Sequence, residues 1–266
     1  MAQLREHDLV ALRDLASAVA RGAGEVLRSG AEHGEHSVTT KSTRTDVVTD
    51  TDRASERYIV SVLRAERPDD AVLGEEGTSI GGGTGIQWVI DPLDGTVNFL
   101  YGLPSYAVSI AAVHDGVPVV GAVYNPAIDE MYLGALGLGS TRNGEPLSVG
   151  ATDDLRDALV ATGFAYSAER RAEQAEVVSR VLPLARDVRR IGAAALDLCN
   201  VASGRVDAYY ELGVHPWDVL AGMVIATEAG AVVTGYDGGV PERNVVAANA
   251  TLHPVLLDLV VGNGAP

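Results

Sequence analysis

Apolar residues recur at helical spacing over residues 4–29, with Leu4, Leu12, Leu15, Val19, Val26 and Leu27 on the repeating positions and Gly30 as the expected stop. Residues 31–45 are polar and read as a loop. A second helical stretch runs from about Thr49 to Arg67, ended by Pro68. The period then shortens. Apolar runs at 71–73, 86–90, 106–113, 117–124 and 130–134 read as strands, and Asp115-Gly116 and Asn143-Gly144 suit hairpin turns between them. Further on, strands at 158–162, 187–191, 205–210, 230–234 and 244–248 are interleaved with helices at 168–182, 193–203, 215–229 and 253–261.

This pattern predicts an α+β chain whose N-terminal half is rich in antiparallel strands and whose C-terminal half is α/β. The halves, 1–145 and 146–266, meet without a flexible linker and are expected to pack as one compact unit. No internal repeat or coiled-coil heptad interrupts the reading.

Composition narrows the function classes. A formal charge of −16 argues against a nucleic-acid surface, which is usually basic, and serves solubility. No apolar run approaches the roughly 20 residues of a membrane-spanning helix, and the first residues lack the basic-then-apolar order of a secretory signal. Cys199 is the single cysteine, so no internal disulfide or thiolate metal cage is available, and a cytoplasmic location is expected. Lys41 is the sole lysine among 20 basic residues. In so arginine-rich a chain, a surviving lysine suggests a place that needs a compact point charge rather than a planar fork.

The candidate chemistry is carboxylate chemistry. In the segment W-V-I-D-P-L-D-G-T-V-N-F (88–99), an apolar strand is expected to break at Asp91-Pro92, because proline removes a ladder donor. Asp91 and Asp94 then project from the strand end and the following turn. Gly95-Thr96 opens a short helix whose free N–H groups can face an anion. Two carboxylates beside such a cradle repel one another unless a cation lies between them, and oxygen ligands alone select a hard ion, Mg²⁺ rather than Zn²⁺. Taken alone, the same letters are also an ordinary acidic turn. Three further acidic places share this ambiguity: Glu75-Glu76 after strand 71–73, the stretch from Glu211 to Asp218, and the run from Lys41 to Asp52. Each reads singly as surface acid, dipole compensation or a helix cap. Together they put acids at the ends of separated β-segments, where α/β sheets bind ligands.

With those residues in hand, G-E-E (74–76), D-P-L-D-G-T-V-N-F (91–99) and W-D (217–218) resemble, in order and spacing, the inositol monophosphatase family of Mg²⁺-dependent, lithium-sensitive phosphatases. K-x-x-x-x-D-V-V-T (41–49), A-A-A-L-D (193–197) and A-Y-Y-E-L-G-V-H (208–215) extend the likeness over nearly the whole chain. The resemblance implies a layered αβαβα sandwich of the sugar-phosphatase kind, usually a homodimer, and two or three Mg²⁺ ions per site. It implies that Glu75, Asp91 and the Leu93 carbonyl bind one ion, and that Asp91, Asp94 and Asp218 bind another. Thr96 and Glu75 would orient the attacking water, and the Gly95 and Thr96 N–H groups would hold phosphate. Substrate hydroxyls would meet Asp94, Ala195, Glu211 and Asp218. Lys41, Asp46 and Glu76 are expected just behind the ligands. Val97 and Pro216 depart from the pattern without touching a ligand position.

The implied substrate is a small phosphorylated polyol, an inositol monophosphate first. Glu211 suits neighbouring hydroxyls, whereas a second substrate phosphate calls for Arg or Lys at that place. Histidinol phosphate stays open, since its ammonium can meet Glu211; fructose 1,6-bisphosphate is disfavoured. Arg189 and Arg190 read as surface or structural arginines, His114 and His215 as dispensable to catalysis, Trp217 as core, and Cys199 as a buried small hydrophobe. A regulatory binding protein on the same scaffold is the alternative of another class.

Overall fold

The structure, a computed structural model, describes residues 4–33, 38–40 and 47–262. The expectations for Lys41 and Asp46 lie outside the described residues.

Helix α1 (Glu6–His33) and helix α2 (Asp50–Glu66) form an outer layer. A short antiparallel ribbon, β1 (Val38–Thr40) and β2 (Val47–Thr49), leads into α2. The two helices cover one face of an eight-stranded sheet built from β3 (Ala71–Gly74), β4 (Ser79–Ile80), β5 (Ile86–Asp94), β6 (Ala107–His114), β7 (Val117–Asn125), β8 (Glu130–Ala135), β9 (Gly139–Arg142) and β10 (Glu145–Pro146). The spatial order is β10-β9-β8-β7-β6-β5-β3-β4, and only the β3–β5 pair is parallel. A five-residue helix α3 (Thr96–Leu100) follows β5 directly.

The second sheet is mixed and five-stranded. It uses β11 (Leu159–Thr162), β12 (Asp187–Arg189), β13 (Ala208–Leu212), β14 (Val232–Thr234) and β15 (Asn244–Ala248) in the order β12-β11-β13-β15-β14. Helices α4 (Ala168–Val181) and α7 (Leu252–Val261) pack together on its outer side. Between the sheets lie α5 (Ala194–Ala202) and α6 (Pro216–Glu228). Burial follows the layers. One apolar cluster joins α1 and α2 to the large sheet, a second encloses α5 and α6 between the sheets, and a third joins the small sheet to α7. The architecture is the α+β, five-layer αβαβα sandwich expected.

Local departures from the sequence reading have physical causes. Gly30 does not stop α1, which runs on to His33; the glycine instead allows close approach to α2, since a Cβ there would sit 2.7 Å from the Thr51 side chain. Pro92 does not end β5. The strand continues to Asp94 through an irregularity in the β5–β6 register between Asp91 and Asp94, the kind of place where a sheet tolerates proline. Strand β1, within the stretch read as a loop, and strands β4, β9 and β10 fall outside the predicted strands, since Val38–Thr40, Ser79–Ile80, Gly139–Arg142 and Glu145–Pro146 carry little apolar signal.

Candidate active site

The first acid owes its place to the parallel pair. Because β3 and β5 run side by side in register, with Gly74 opposite Ile90, their C-terminal ends emerge together. The Glu75 N–H donates to the Ile90 carbonyl at 3.2 Å, which sets Glu75 beside Asp91. Asp91 is 1% exposed, and its Oδ1 accepts the Leu93 N–H at 2.9 Å, closing a tight local turn. Three residues on, Asp94 reaches across to the middle layer. Its Oδ1 and Oδ2 accept the Ala194 and Ala195 N–H groups at 3.2 and 2.8 Å, so it serves the N-terminus of α5, about a hundred residues away in sequence. Asp218 stands in the first turn of α6, where its Oδ2 accepts the His215 N–H at 2.7 Å.

Glu75, Asp91, Leu93, Asp94, Gly95, Thr96, Glu211 and Asp218 all line one cleft of about 330 Å³, a size suited to a small ligand. Gly95 adopts φ 90°, and a Cβ there would lie 2.9 Å from the Ser105 carbonyl, so this turn requires glycine. Gly95 and Thr96 open α3, whose own ladder does not consume their N–H groups.

Behind Thr96 stands a residue that the sequence reading did not assign. Thr96 Oγ1 is 3.0 Å from Asp52 Oδ1 and 3.2 Å from the Leu93 carbonyl oxygen, so its single proton serves one of these two acceptors. Asp52 is 1% exposed, and its Oδ2 is held by the Thr49 N–H at 2.9 Å and by the Thr49 hydroxyl. The sequence signal for it was a Thr-x-x-Asp capping box, which turns its third residue back toward the helix start.

Two other expected placements differ. Ala195 is fully buried with its N–H engaged by Asp94, and it is Ala194 that lines the cleft. Glu76 lines a separate shallow groove along α2, and its N–H donates to Glu56 Oε2 at 2.9 Å, because adjacent residues after a strand face opposite ways.

Arg190 is not merely a surface group: it lines the cleft, as do Arg170 and Arg243. Arg189, one residue earlier, pairs with Asp187 at 2.6 Å. Alternation along the chain thus splits the two neighbours. His215 lines the cleft with its ring stacked on Trp217 at 4.9 Å, so Trp217 is half-buried rather than wholly core. His114 pairs opposite Ile86, at the other end of β5 from Asp94. Cys199 is buried.

Crowding marks the acids electrostatically. Burial, reinforced by the charges of Glu75, Asp94 and Asp218, holds the Asp91 pKa well above the usual carboxylate range. Asp218 is raised in the same way, by burial first and then by Glu75 and Asp94. Asp94 is pushed up to about 7, chiefly by burial, against the lowering effect of the Ala195 N–H. Burial also raises Asp52 and Glu211. Among the described residues no three acidic, histidine or cysteine side chains close on a cation as they stand. The acids share a cleft rather than a finished cage. The donor set nevertheless fits a hard divalent cation: the crowded carboxylates offer only oxygen, are desolvated and mutually repelling, and have no thiolate among them.

The Thr96–Asp52 contact gives a first prediction. Asp52→Asn keeps the size but weakens the acceptor behind the Thr96 hydroxyl, and is expected to lower kcat by about 10²-fold. Steady-state phosphate release checks this, and an unchanged kcat removes Asp52 from the site.

The sequence profile of the inositol monophosphatase family matches residues 8–264. An inositol-1-monophosphatase from Mycobacterium leprae is 48% identical over 232 residues, covering 82% of this chain and 77% of that protein. A protein named Nus factor SuhB from Vibrio cholerae is 38% identical, covering 94% of this chain and 96% of its own. The crystal structure of the extragenic suppressor protein suhB from Bartonella henselae superposes with a TM-score of 0.90 at 33% identity, covering 94% and 98% of the two chains. A single cleft that gathers acids from three layers, on a fold shared with these proteins along nearly its whole length, makes the chain a member of the inositol monophosphatase family.

Proposed function

We propose that the chain is a Mg²⁺-dependent phosphomonoesterase that hydrolyses an inositol monophosphate to inositol and phosphate. The observation that carries this reading is the meeting of Glu75, Asp91, Asp94, Thr96 and Asp218 around one cleft, with Asp52 behind Thr96. Glu75, Asp91, Asp94 and Asp218, with the Leu93 carbonyl, would hold the cations. Bound there, Mg²⁺ supplies positive charge for the phosphoryl group and acidity for the attacking water.

The chain's own groups do the rest. The Gly95 and Thr96 N–H groups hold the phosphate, and the Thr96 hydroxyl, backed by Asp52, orients the attacking water with Glu75. Water forms the new P–O bond as the bond to the polyol oxygen breaks. One water proton ends on that oxygen and the other stays on the released hydrogen phosphate. Glu211 accepts hydrogen bonds from the polyol hydroxyls, and the Tyr209 hydroxyl, donating to its Oε2 at 2.7 Å, fixes its orientation. The same reading includes a homodimer, for which the exposed Tyr101 and Leu103 beside α3 offer an apolar contact.

Phosphate release measured with Mg²⁺ on inositol 1-phosphate and histidinol phosphate tests the substrate: faster turnover of histidinol phosphate overturns the choice of inositol. Glu211→Ala is expected to lower kcat/KM for inositol 1-phosphate about 10-fold or more beyond its effect on an aryl phosphate that has no hydroxyls. Equal losses remove Glu211 from substrate binding. A second reading, a regulatory binding protein on this scaffold, is favoured by the relatives named Nus factor SuhB. It predicts that an Asp94→Asn chain retains full biological effect in a deletion strain.

A further inference from the structure

Glycines on buried faces of this fold differ in what their missing side chain makes room for. At Gly121, on β7, an added Cβ would overlap the Ala221 carbonyl oxygen, so that glycine lets α6 lie against the large sheet. At Gly163, just past β11, the three nearest atoms all belong to one carboxylate, the Cδ and both oxygens of Glu211. An added Cβ would overlap each of them. The Gly163 φ lies outside the left-handed region, so nothing in the backbone calls for glycine there. The empty place serves Glu211, and both residues line the cleft.

The surroundings decide which group would yield to a side chain. On one side of Gly163, Thr162 ends β11 in parallel pairing opposite Tyr210 of β13. On the other, the Ala165 N–H donates to Gln174 Oε1 at 2.8 Å, and Gln174 Nε2 donates to the Leu212 carbonyl at 2.8 Å. Gln174 comes from α4 and is 4% exposed, so this strut is shielded from water. The backbone around Gly163 is thus tied to the same strand that carries Glu211. It has no freedom to back away. The Glu211 side chain does, because only its far end stands in the way. Two positions back on the same face of β13, the fully buried Tyr209 closes the inner side and holds Glu211 Oε2 through its hydroxyl. The open direction that remains is the cleft. A methyl group at 163 would drive the carboxylate that way by on the order of 1 Å or more before ordinary contact of about 3.5 Å was restored.

We propose that Gly163 determines the size of the leaving group the cleft accepts. By giving the Glu211 carboxylate a seat in the wall, it keeps the cleft wide enough for a six-membered polyol ring while the carboxylate still reaches the ring hydroxyls. The inference rests on the phosphatase reading and deepens it, from the group that accepts the hydroxyls to the residue that sets how large a polyol enters. Gly163 acts through Glu211 and is a positioning residue.

The test compares inositol 1-phosphate with glycerol 2-phosphate, which carries hydroxyls but no ring, as the ratio of their kcat/KM values with Mg²⁺. Gly163→Ala is expected to lower the inositol-to-glycerol ratio about 10-fold, through KM for the inositol ester, with a thermal midpoint close to wild type. Glu211→Asp, one methylene shorter, draws the carboxylate back toward β13 and lowers the ratio in the wild-type background. In the Gly163→Ala background the same substitution raises it, because the shorter side chain clears the methyl group. Packing alone does not produce that reversal of sign. If the wild type turns over both compounds and Gly163→Ala keeps the ratio, the seat is overturned while the phosphatase reading stands. If Gly163→Ala loses both activities alike and unfolds at a lower temperature, with no recovery in the double variant, the glycine serves packing and the proposal is overturned. If the wild type hydrolyses neither compound, the phosphatase reading falls and the seat with it.

Discussion

Asp91→Asn is expected to lower turnover by about 10³-fold or more while leaving the fold intact. Asn matches Asp in size, and its side-chain oxygen still accepts the Leu93 N–H that closes the local turn. What disappears is an anionic donor that burial and the surrounding acids make costly to keep ionised in the empty cleft, and which becomes favourable once a dication is held there. The substitution is thus expected to move two quantities in opposite directions. Mg²⁺ affinity by calorimetry falls with turnover, while the metal-free variant at pH 8 melts higher than the metal-free wild type, since one repelling charge is gone. Turnover within a few-fold of wild type would show that Asp91 is not part of the chemistry.

The second large effect is on stability. The folded-state pKa of Asp94 is about 7, against 3.8 for an unperturbed aspartate. A group raised on folding binds its proton more tightly in the native state. Its stabilising contribution is fully present below about pH 3.8 and is lost as pH rises through about 7. For Asp94 alone the linkage is on the order of 4 kcal/mol. Asp91, Asp218, Asp52 and Glu211 shift in the same direction. Asp154, lowered to about 2 by the Arg156 side chain, titrates below this window. The chelator-treated protein is therefore expected to lose stability from pH 5 to pH 8, and millimolar Mg²⁺ at pH 8 to restore it by binding the native state alone. Urea unfolding at four pH values, with and without Mg²⁺, measures both parts. Stability that is flat or rising over this range without metal would mean the acids do not crowd as described.

How much of this was legible in the letters varies by residue. Glu75-Glu76, Asp91, Asp94 and Asp218 stand out as acids at the ends of apolar runs or at a helix start, where period and punctuation carry most signal, but it is the family resemblance that joins Glu75, Asp91, Asp94 and Asp218 into one expected ligand set. The β3–β5 pairing that sets Glu75 beside Asp91 is a long-range choice, invisible to local pattern. Asp52 escapes a local reading because three aspartates crowd its segment and a helix start explains any of them. Its burial and its contact with Thr96, 44 residues away, set it apart from the exposed Asp50. Gly30 and Pro92 mislead as punctuation because the first serves a close helix–helix approach and the second sits where the β5–β6 register shifts. Arg170, Arg190 and Arg243 line the cleft from three separate segments, so no spacing rule could gather them.

Asp94 holds the N-terminus of α5 while facing the cleft. A residue bound into two tasks cannot drift to suit either one. Any descendant that abandons the chemistry but keeps the sandwich therefore still needs an acceptor at this position, and so should retain the look of an enzyme long after it has ceased to be one.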